Sequence, residues 1–171
     1  MTSHLVKVFA LLAMGASHIS TPVADPEYVT IHMEIDVNKS ASDAWAKVGA
    51  YCDLAKWIAA GRVVPCAVIS GDGGMGSVRS INNGAVLEVM IAKTDLSYGY
   101  AQPPKAGQFY NLYHGFLEAK PVTATTSKLL YTLLIDESNL ADKAAKDADV
   151  ARRRTQFEAA LRNMKAIAEA P

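Results

Sequence analysis

One long helical pattern closes a chain whose other regular segments are mostly short strands, and this arrangement constrains the fold most strongly. Residues 140–169 are rich in alanine, and apolar side chains recur along them at helical spacing. These side chains are Val150, Phe157, Leu161, Met164 and Ile167. About six consecutive strand patterns come before this helix, and their sheet has one face to cover. The helix is the only predicted element long enough to cover it.

Alternation and turn residues predict the other elements. Residues 29–37 alternate strictly between apolar and polar side chains, which is typical of a half-buried strand. A capping-box-like start at residues 40–43 opens a helix through residue 48, and a second short helix is predicted over residues 53–60. Later strands are predicted over residues 66–70, 97–101, 110–119 and 128–135. The order predicts an α+β domain in which a curved antiparallel sheet wraps around the C-terminal helix and leaves an internal cavity.

An Asn-Gly pair sets the register of the central hairpin. Asn83-Gly84 lies between strand-like residues and favours a type I′ turn, because both central residues of that turn need positive φ. Counting outward from the turn places Arg79 directly opposite Glu88. A guanidinium and a carboxylate then share one face of the sheet.

The hairpin's own pattern does not decide which of its faces is buried. The face that contains the pair carries Ser77, Arg79, Ile81, Val86, Glu88 and Met90. The opposite face carries Val78, Ser80, Leu87, Val89 and Ile91. Hydrophobicity alone favours burying the opposite face, which would leave the pair in solvent with a stabilisation of about 0.2–1 kcal/mol.

The N-terminus indicates export. A short apolar stretch follows Lys7, is too brief to span a bilayer and ends in small residues. We therefore predict a signal peptide over residues 1–24, a single domain over residues 25–171, and a periplasmic or secreted protein. The alternative is an amphipathic segment of a cytosolic protein. No later apolar run is long enough for a membrane span.

Charge and cysteine content argue against several functions. Seventeen acidic residues balance seventeen basic ones, so no basic excess indicates nucleic acid binding. Arg152, Arg153 and Arg154 are adjacent, but neighbours on a helix point in different directions, so we expect a solvated face and not a phosphate site. Cys52 and Cys66 could bridge in an oxidising compartment, yet we expect two buried free thiols. No zinc-ligand spacing occurs, and we expect no metal or cofactor.

The order of these elements, with several motifs, resembles the START and birch-pollen-allergen superfamily, also called SRPBCC, and its polyketide cyclase/dehydrase branch. The matching residues are the segment 42–49 with Tyr51 and Trp57, the Gly-x-Gly-Ser-Val-Arg motif at residues 74–79, Glu88, Asp95 and the C-terminal helix. The resemblance covers residues 28–168. It implies a helix-grip fold with a hydrophobic cavity for a small, often aromatic or lipid-like molecule.

Two plant groups in this superfamily sharpen what the resemblance implies. The lachrymatory factor synthases use an arginine and a glutamate as catalytic groups at positions that match Arg79 and Glu88. The abscisic acid receptors have a similar Gly-Ser-Val-Arg segment, but their Ser-Gly-Leu-Pro-Ala gate and His-Arg-Leu latch are absent here. The resemblance therefore implies that the Arg79 face is buried. Arg79 would hold a developing oxyanion or a carboxylate, and Glu88 would move a proton.

The resemblance also implies the remaining pocket residues. A three-residue turn at residues 93–95 sets Tyr100 opposite Glu88 and Tyr98 opposite Met90, whereas a two-residue turn puts both tyrosines on the other face. The family pattern favours the three-residue turn. The orienting groups would be Tyr98, Tyr100, His114 and Tyr131, and the apolar lining would be Ile81, Met90, Leu112, Phe157 and Leu161. The alternatives are sheet tyrosines with hydroxyls in water and a core His114 that bonds to a backbone group.

The predicted function is a cofactor-independent acid–base enzyme that acts on a small hydrophobic or aromatic molecule in the cavity. A cyclase, dehydratase, isomerase or lyase would fit. Two alternatives stay open, namely a non-catalytic periplasmic carrier or sensor of a hydrophobic ligand, and an accessory factor to a periplasmic oxidoreductase. The sequence leaves undecided the identity of the ligand and the oligomeric state, including whether the protein is a homodimer.

Overall fold

The computed structural model describes residues 25–104 and 112–171. Within them the strands are β1 (Tyr28–Val37), β2 (Cys66–Ser70), β3 (Val78–Ile81), β4 (Val86–Lys93), β5 (Ser97–Ala101), β6 (Tyr113–Pro121) and β7 (Ser127–Asp136). The helices are α1 (Ala41–Val48), α2 (Leu54–Trp57) and α3 (Lys143–Glu169). The predicted signal peptide and the first residues of the strand predicted from residue 110 lie outside the described residues.

All seven described strands form one antiparallel sheet in the order β1-β7-β6-β5-β4-β3-β2. Its inner face and α3 share one core, in which Ile31, Leu129 and Leu133 from the sheet join Phe157 and Leu161 from α3. The predicted α+β architecture of a curved sheet against a long C-terminal helix is confirmed. In the described part of the chain, no helix combines the length and the apolar character that crossing a membrane requires.

The helix starts follow their capping residues. Ser40 Oγ accepts a hydrogen bond of 3.1 Å from the backbone N–H of Asp43, as the capping-box pattern predicts for α1. Asp142 caps α3 in the same way, since its Oδ1 accepts from the N–H of Ala145 at 2.8 Å. Because Asp142 is the cap, α3 begins three residues later than predicted. The α2 helix ends at Trp57 instead of residue 60.

The central hairpin has the predicted turn and register. Asn83 and Gly84 have φ values of 56° and 88°, and the N–H of Ala85 donates to the carbonyl of Asn82 at 3.2 Å. These are the features of a type I′ turn. Arg79 lies opposite Glu88 in the β3–β4 ladder, as counting from the turn predicts.

In the β4–β5 hairpin, Tyr98 and Tyr100 lie on the predicted face of the sheet, but their cross-strand partners differ from the predicted ones. Tyr100 lies opposite Met90 instead of Glu88, and Tyr98 lies opposite Lys93 instead of Met90. The turn lies later than predicted, since the N–H of Thr94 donates to the carbonyl of Ser97 at 2.9 Å. A register shift between Met90 and Ala92 then returns the two tyrosines to the face of Met90. Both tyrosines are nevertheless buried on the inner face.

The two cysteines form a disulfide, so the prediction of free thiols is wrong. Cys52 follows α1 and Cys66 opens β2, and the fold brings their Cα atoms to 5.5 Å. That separation is within the range a disulfide spans, which spacing along the sequence does not reveal. The bond closes a loop that contains α2 and the connection to β2.

Removing the disulfide is expected to lower the free energy of unfolding by about 3 kcal/mol, because a loop of this length then gains freedom in the unfolded chain. Urea unfolding of the double variant Cys52→Ser/Cys66→Ser measures the loss. Dithiothreitol is the control, since it should lower the stability of the wild type to that of the variant and leave the variant unchanged. Equal stability of wild type and variant in the absence of reductant would contradict the expectation.

Candidate functional site

Arg79 and Glu88 form a buried ion pair on the inner face of the sheet. The Nε of Arg79 donates to Oε2 of Glu88 at 2.7 Å, and its Nη2 lies 2.5 Å from the same oxygen. Arg79 is 0 % exposed and Glu88 is 3 % exposed. The opposite face carries Leu87 and Ile91, which are 42 % and 39 % exposed. The face that the resemblance implied is therefore the buried one.

Aromatic rings enclose the guanidinium of Arg79. Its Cζ lies 4.2 Å from the ring centroid of Tyr51, 5.4 Å from that of Tyr98 and 5.1 Å from that of Tyr100. Nη1 donates to the carbonyl of Tyr51 and lies 3.5 Å from the hydroxyl of Tyr98. Burial acts to lower the pKa of Arg79, but Tyr98 and the Glu88 carboxylate raise it by more, so the group stays charged. Ring faces, one carboxylate and the carbonyl of Tyr51 thus replace water around this cation.

A cavity of about 370 Å³ lies between the inner face of the sheet, α3 and the segment 54–65. Glu88 lines it, whereas Arg79 does not. Oε1, the carboxylate oxygen that Arg79 leaves unbound, accepts a hydrogen bond of 2.9 Å from Nε2 of Gln102, which also lines the cavity. The structure therefore places Arg79 behind Glu88, as its counter-ion, and not against a molecule in the cavity.

Tyr100 and Tyr131 supply hydroxyls to the same wall. Their oxygens lie 2.8 Å apart and share a hydrogen bond, and both residues line the cavity. Burial raises the pKa of both hydroxyls well above the usual value, so they stay protonated at neutral pH. They can donate hydrogen bonds but cannot act as bases there. Among the described residues that line the cavity, Glu88 is the one acidic side chain.

The structure brings together only part of the predicted pocket. Five predicted residues line the cavity: Ile81, Glu88, Tyr100, Tyr131 and Phe157. Tyr98 and Met90 line a separate depression of about 410 Å³ with Trp45 and Tyr51. Leu161 is buried in the core and does not line the cavity.

The prediction that Leu112 and His114 line the pocket is wrong. The inner face of β6 carries Tyr113, Gly115, Leu117 and Ala119, because β6 pairs with β7 in that register. Gly115 suits this face since a Cβ there would lie 2.3 Å from Cζ of Tyr100, whose ring fills the space. Glu118 and Lys120 share the outer face with His114, and this polar alternation is the signal that the sequence prediction overlooked.

Sequence reasoning also missed part of the cavity wall. The missed side chains include Gln102, Tyr113, Arg62, Arg152, Arg153 and Gln156, and the segment 54–65 between the cysteines supplies a further part. The expected solvated face is wrong for Arg153, which is 7 % exposed and donates from Nε to Oδ2 of Asp149 at 2.5 Å. Asp149 lies one helical turn earlier and could have indicated the pair.

Comparison with solved structures identifies the fold. The aromatase/cyclase Zhui from Streptomyces sp. R1128 superposes with a TM-score of 0.64 at 13% identity, over 84% of this chain and 94% of that one. Truncated norcoclaurine synthase from Thalictrum flavum gives 0.63 at 18% identity, over 89% and 100%. Ara h 8.0201 gives 0.62 at 14% identity, over 83% and 98%. The chain has the helix-grip fold.

This helix-grip protein is similar in architecture, not in sequence, to those structures. A further structure of the Thalictrum flavum synthase is a complex with dopamine and hydroxybenzaldehyde, at 17% identity and a TM-score of 0.60 over 85% of this chain and 90% of that one. No family model and no curated protein matches the chain. The fold that the resemblance implied is confirmed.

Proposed function

We propose that this protein is a cofactor-independent acid–base enzyme that acts on a small hydrophobic or aromatic molecule held in the cavity. The observation that carries the proposal is one carboxylate, Glu88, in the cavity wall with its counter-ion sealed behind it. Moving a carboxylate out of water costs several kcal/mol, which attraction to a counter-ion often does not fully offset. A cavity needed only for apolar packing therefore gains nothing from it.

The roles follow from the chemistry of the wall. Oε1 of Glu88 has a lone pair beyond the one that Gln102 uses, and we assign it to a proton on the bound molecule. Tyr100 and Tyr131 stay protonated, and one hydroxyl donates to the other. The hydroxyl whose proton is not used in that bond donates to an oxygen of the ligand that gains charge as the proton leaves. Arg79 acts as a positioning residue through Glu88. This sequence of roles suits enolisation, dehydration or ring closure.

The comparisons support an aromatic ligand. One structural neighbour is an aromatase/cyclase, and another was solved with dopamine and hydroxybenzaldehyde. A volume of about 370 Å³ suits a molecule of one or two rings. We therefore propose aromatic or aryl-carbonyl compounds as the first candidates.

A second candidate function is a carrier of the same ligands. Both oxygens of Glu88 have a partner already, which also suits a carboxylate kept only to hold a ligand hydroxyl. Native mass spectrometry of freshly purified protein, followed by incubation with phenols and aryl ketones, separates the two. An enzyme releases a product of changed structure, whereas a carrier retains the unchanged compound and forms none.

We also propose that the protein is exported to the periplasm or secreted. The Cys52–Cys66 disulfide supports this, because disulfides persist in oxidising compartments. Expression of the full chain in a bacterium tests it. Export predicts a mature protein in the periplasmic or medium fraction whose mass lacks the first residues, whereas an intact mass in the cytosol would contradict it.

A further inference from the structure

The charged side chains of the cavity are not evenly distributed. The inner end carries Glu88, which has its own counter-ion in Arg79. Three further guanidiniums line the same cavity, from Arg62 on the segment after α2 and from Arg152 and Arg153 on α3. The cavity therefore combines a compensated carboxylate in its wall with a cluster of cations.

Acidic residues do not balance this cluster. Asp149 pairs with both Arg152 and Arg153, and Glu137 acts electrostatically on Arg153. One carboxylate, Asp149, is thus shared by two of the three guanidiniums. Within the described residues no ion pair involves Arg62, which is exposed at the surface. A positive charge thus remains at the cavity.

The two exposed arginines belong to the part of the cavity lining that is open to solvent. The side chain of Arg152 is 56% exposed and Arg62 is exposed, whereas Arg153 is buried with its Cζ 4.9 Å from the ring centroid of Tyr113. Gln156, one turn of α3 after Arg152, is exposed and lines the same opening. These groups are hydrogen-bond donors, and guanidiniums favour oxyanions because their donors match two oxygens at once.

From this distribution we infer that the ligand is amphipathic, with its reactive part beside Glu88 and the tyrosines and an anionic oxyacid group at Arg62 and Arg152. Only the placement of the reactive part beside Glu88 rests on the proposed function. The anion site rests on the arginines alone. A ligand of this kind is held at both ends, which orients the reactive part toward Oε1 of Glu88.

Two fluorescent probes that share their rings and differ in charge test the inference. 8-Anilinonaphthalene-1-sulfonate carries a sulfonate, and N-phenyl-1-naphthylamine lacks it. We expect wild-type protein to bind the sulfonate at least tenfold more tightly, and added salt to weaken only the sulfonate complex. Arg62→Met/Arg152→Met should remove most of this preference and leave the neutral probe bound as before.

Arg154→Met is the matched control, because Arg154 is an exposed arginine on α3 that does not line the cavity. It should keep the tenfold preference. Displacement of the sulfonate by 1-naphthaleneacetate and by 1-naphthyl phosphate then tells whether a carboxylate or a phosphate is preferred. Equal affinity of the wild type for the two probes, no binding of either, or an unchanged preference in Arg62→Met/Arg152→Met overturns the inference.

This outcome is separable from that of the proposed function. Glu88→Gln should leave the sulfonate preference intact, because Glu88 does not pair with these arginines. A preserved preference without any proton transfer would refute the enzyme and keep the anion site. Proton transfer without a preference for the sulfonate probe would refute the anion site and support the enzyme.

Discussion

Replacing Arg79 with methionine is expected to lower the free energy of unfolding by about 3–5 kcal/mol, because it leaves the buried Glu88 carboxylate without its counter-ion. The pair is sealed from solvent, with Arg79 at 0 % and Glu88 at 3 % exposure. Such a loss is a large part of the total stability of a domain, which is about 5–15 kcal/mol. Urea or thermal unfolding measures it.

The double variant Arg79→Met/Glu88→Leu is the decisive control. Replacing both charges with apolar groups removes the unpaired carboxylate, so much of the lost stability should return. A double-mutant cycle then gives the coupling between the two side chains. The double variant also keeps the test valid if Arg79→Met does not fold. A loss below about 1 kcal/mol for Arg79→Met, the value of an exposed pair, would contradict the buried arrangement.

Replacing Glu88 with glutamine is expected to lower kcat for the ligand of this cavity by about 10²–10⁴-fold, because the amide keeps the shape of the side chain but cannot accept the proton. Ligand affinity should change much less, since the apolar wall and Tyr100 and Tyr131 remain. Steady-state kinetics with a compound turned over by the wild type separates the two effects.

Glu118→Gln is the matched control for this variant. Glu118 is an exposed glutamate on the outer face of β6, and the same change there should leave kcat unaltered. Circular dichroism and unfolding of Glu88→Gln show whether the fold survives, because Arg79 has then lost its charged partner. Full turnover by folded Glu88→Gln would show that another group moves the proton.

The sequence was sufficient to predict the pairing within the central hairpin, but not which face of the hairpin is buried. Asn83-Gly84 determined the pairing of Arg79 with Glu88, because a type I′ turn permits only one register. The buried face was less predictable, since Leu87 and Ile91 on the exposed face are more apolar than the ion pair on the buried one. Family resemblance was needed there, because local hydrophobicity does not report how a distant helix covers the sheet.

The mispredicted parts of the site depend on contacts that are distant along the chain. His114 faces outward because pairing with β7 sets the direction of β6, and a single-residue shift reverses every side chain. The segment 54–65 enters the cavity wall because a disulfide holds both of its ends. Arg153 is buried because its guanidinium bonds to Asp149 and packs against the ring of Tyr113. Spacing and periodicity carry little information about such contacts.

The most direct test is solvent exchange on a bound ligand, because it reports proton transfer before the overall reaction is known. Aryl ketones such as phenylacetone are incubated with the protein in D₂O, and loss of the signal of the protons next to the carbonyl is followed by NMR. We predict that the wild type accelerates exchange over buffer and that Glu88→Gln reduces the acceleration by about 10²–10⁴-fold. Aryl ketones that bind in the cavity but exchange at the rate found in buffer would contradict an acid–base role for Glu88.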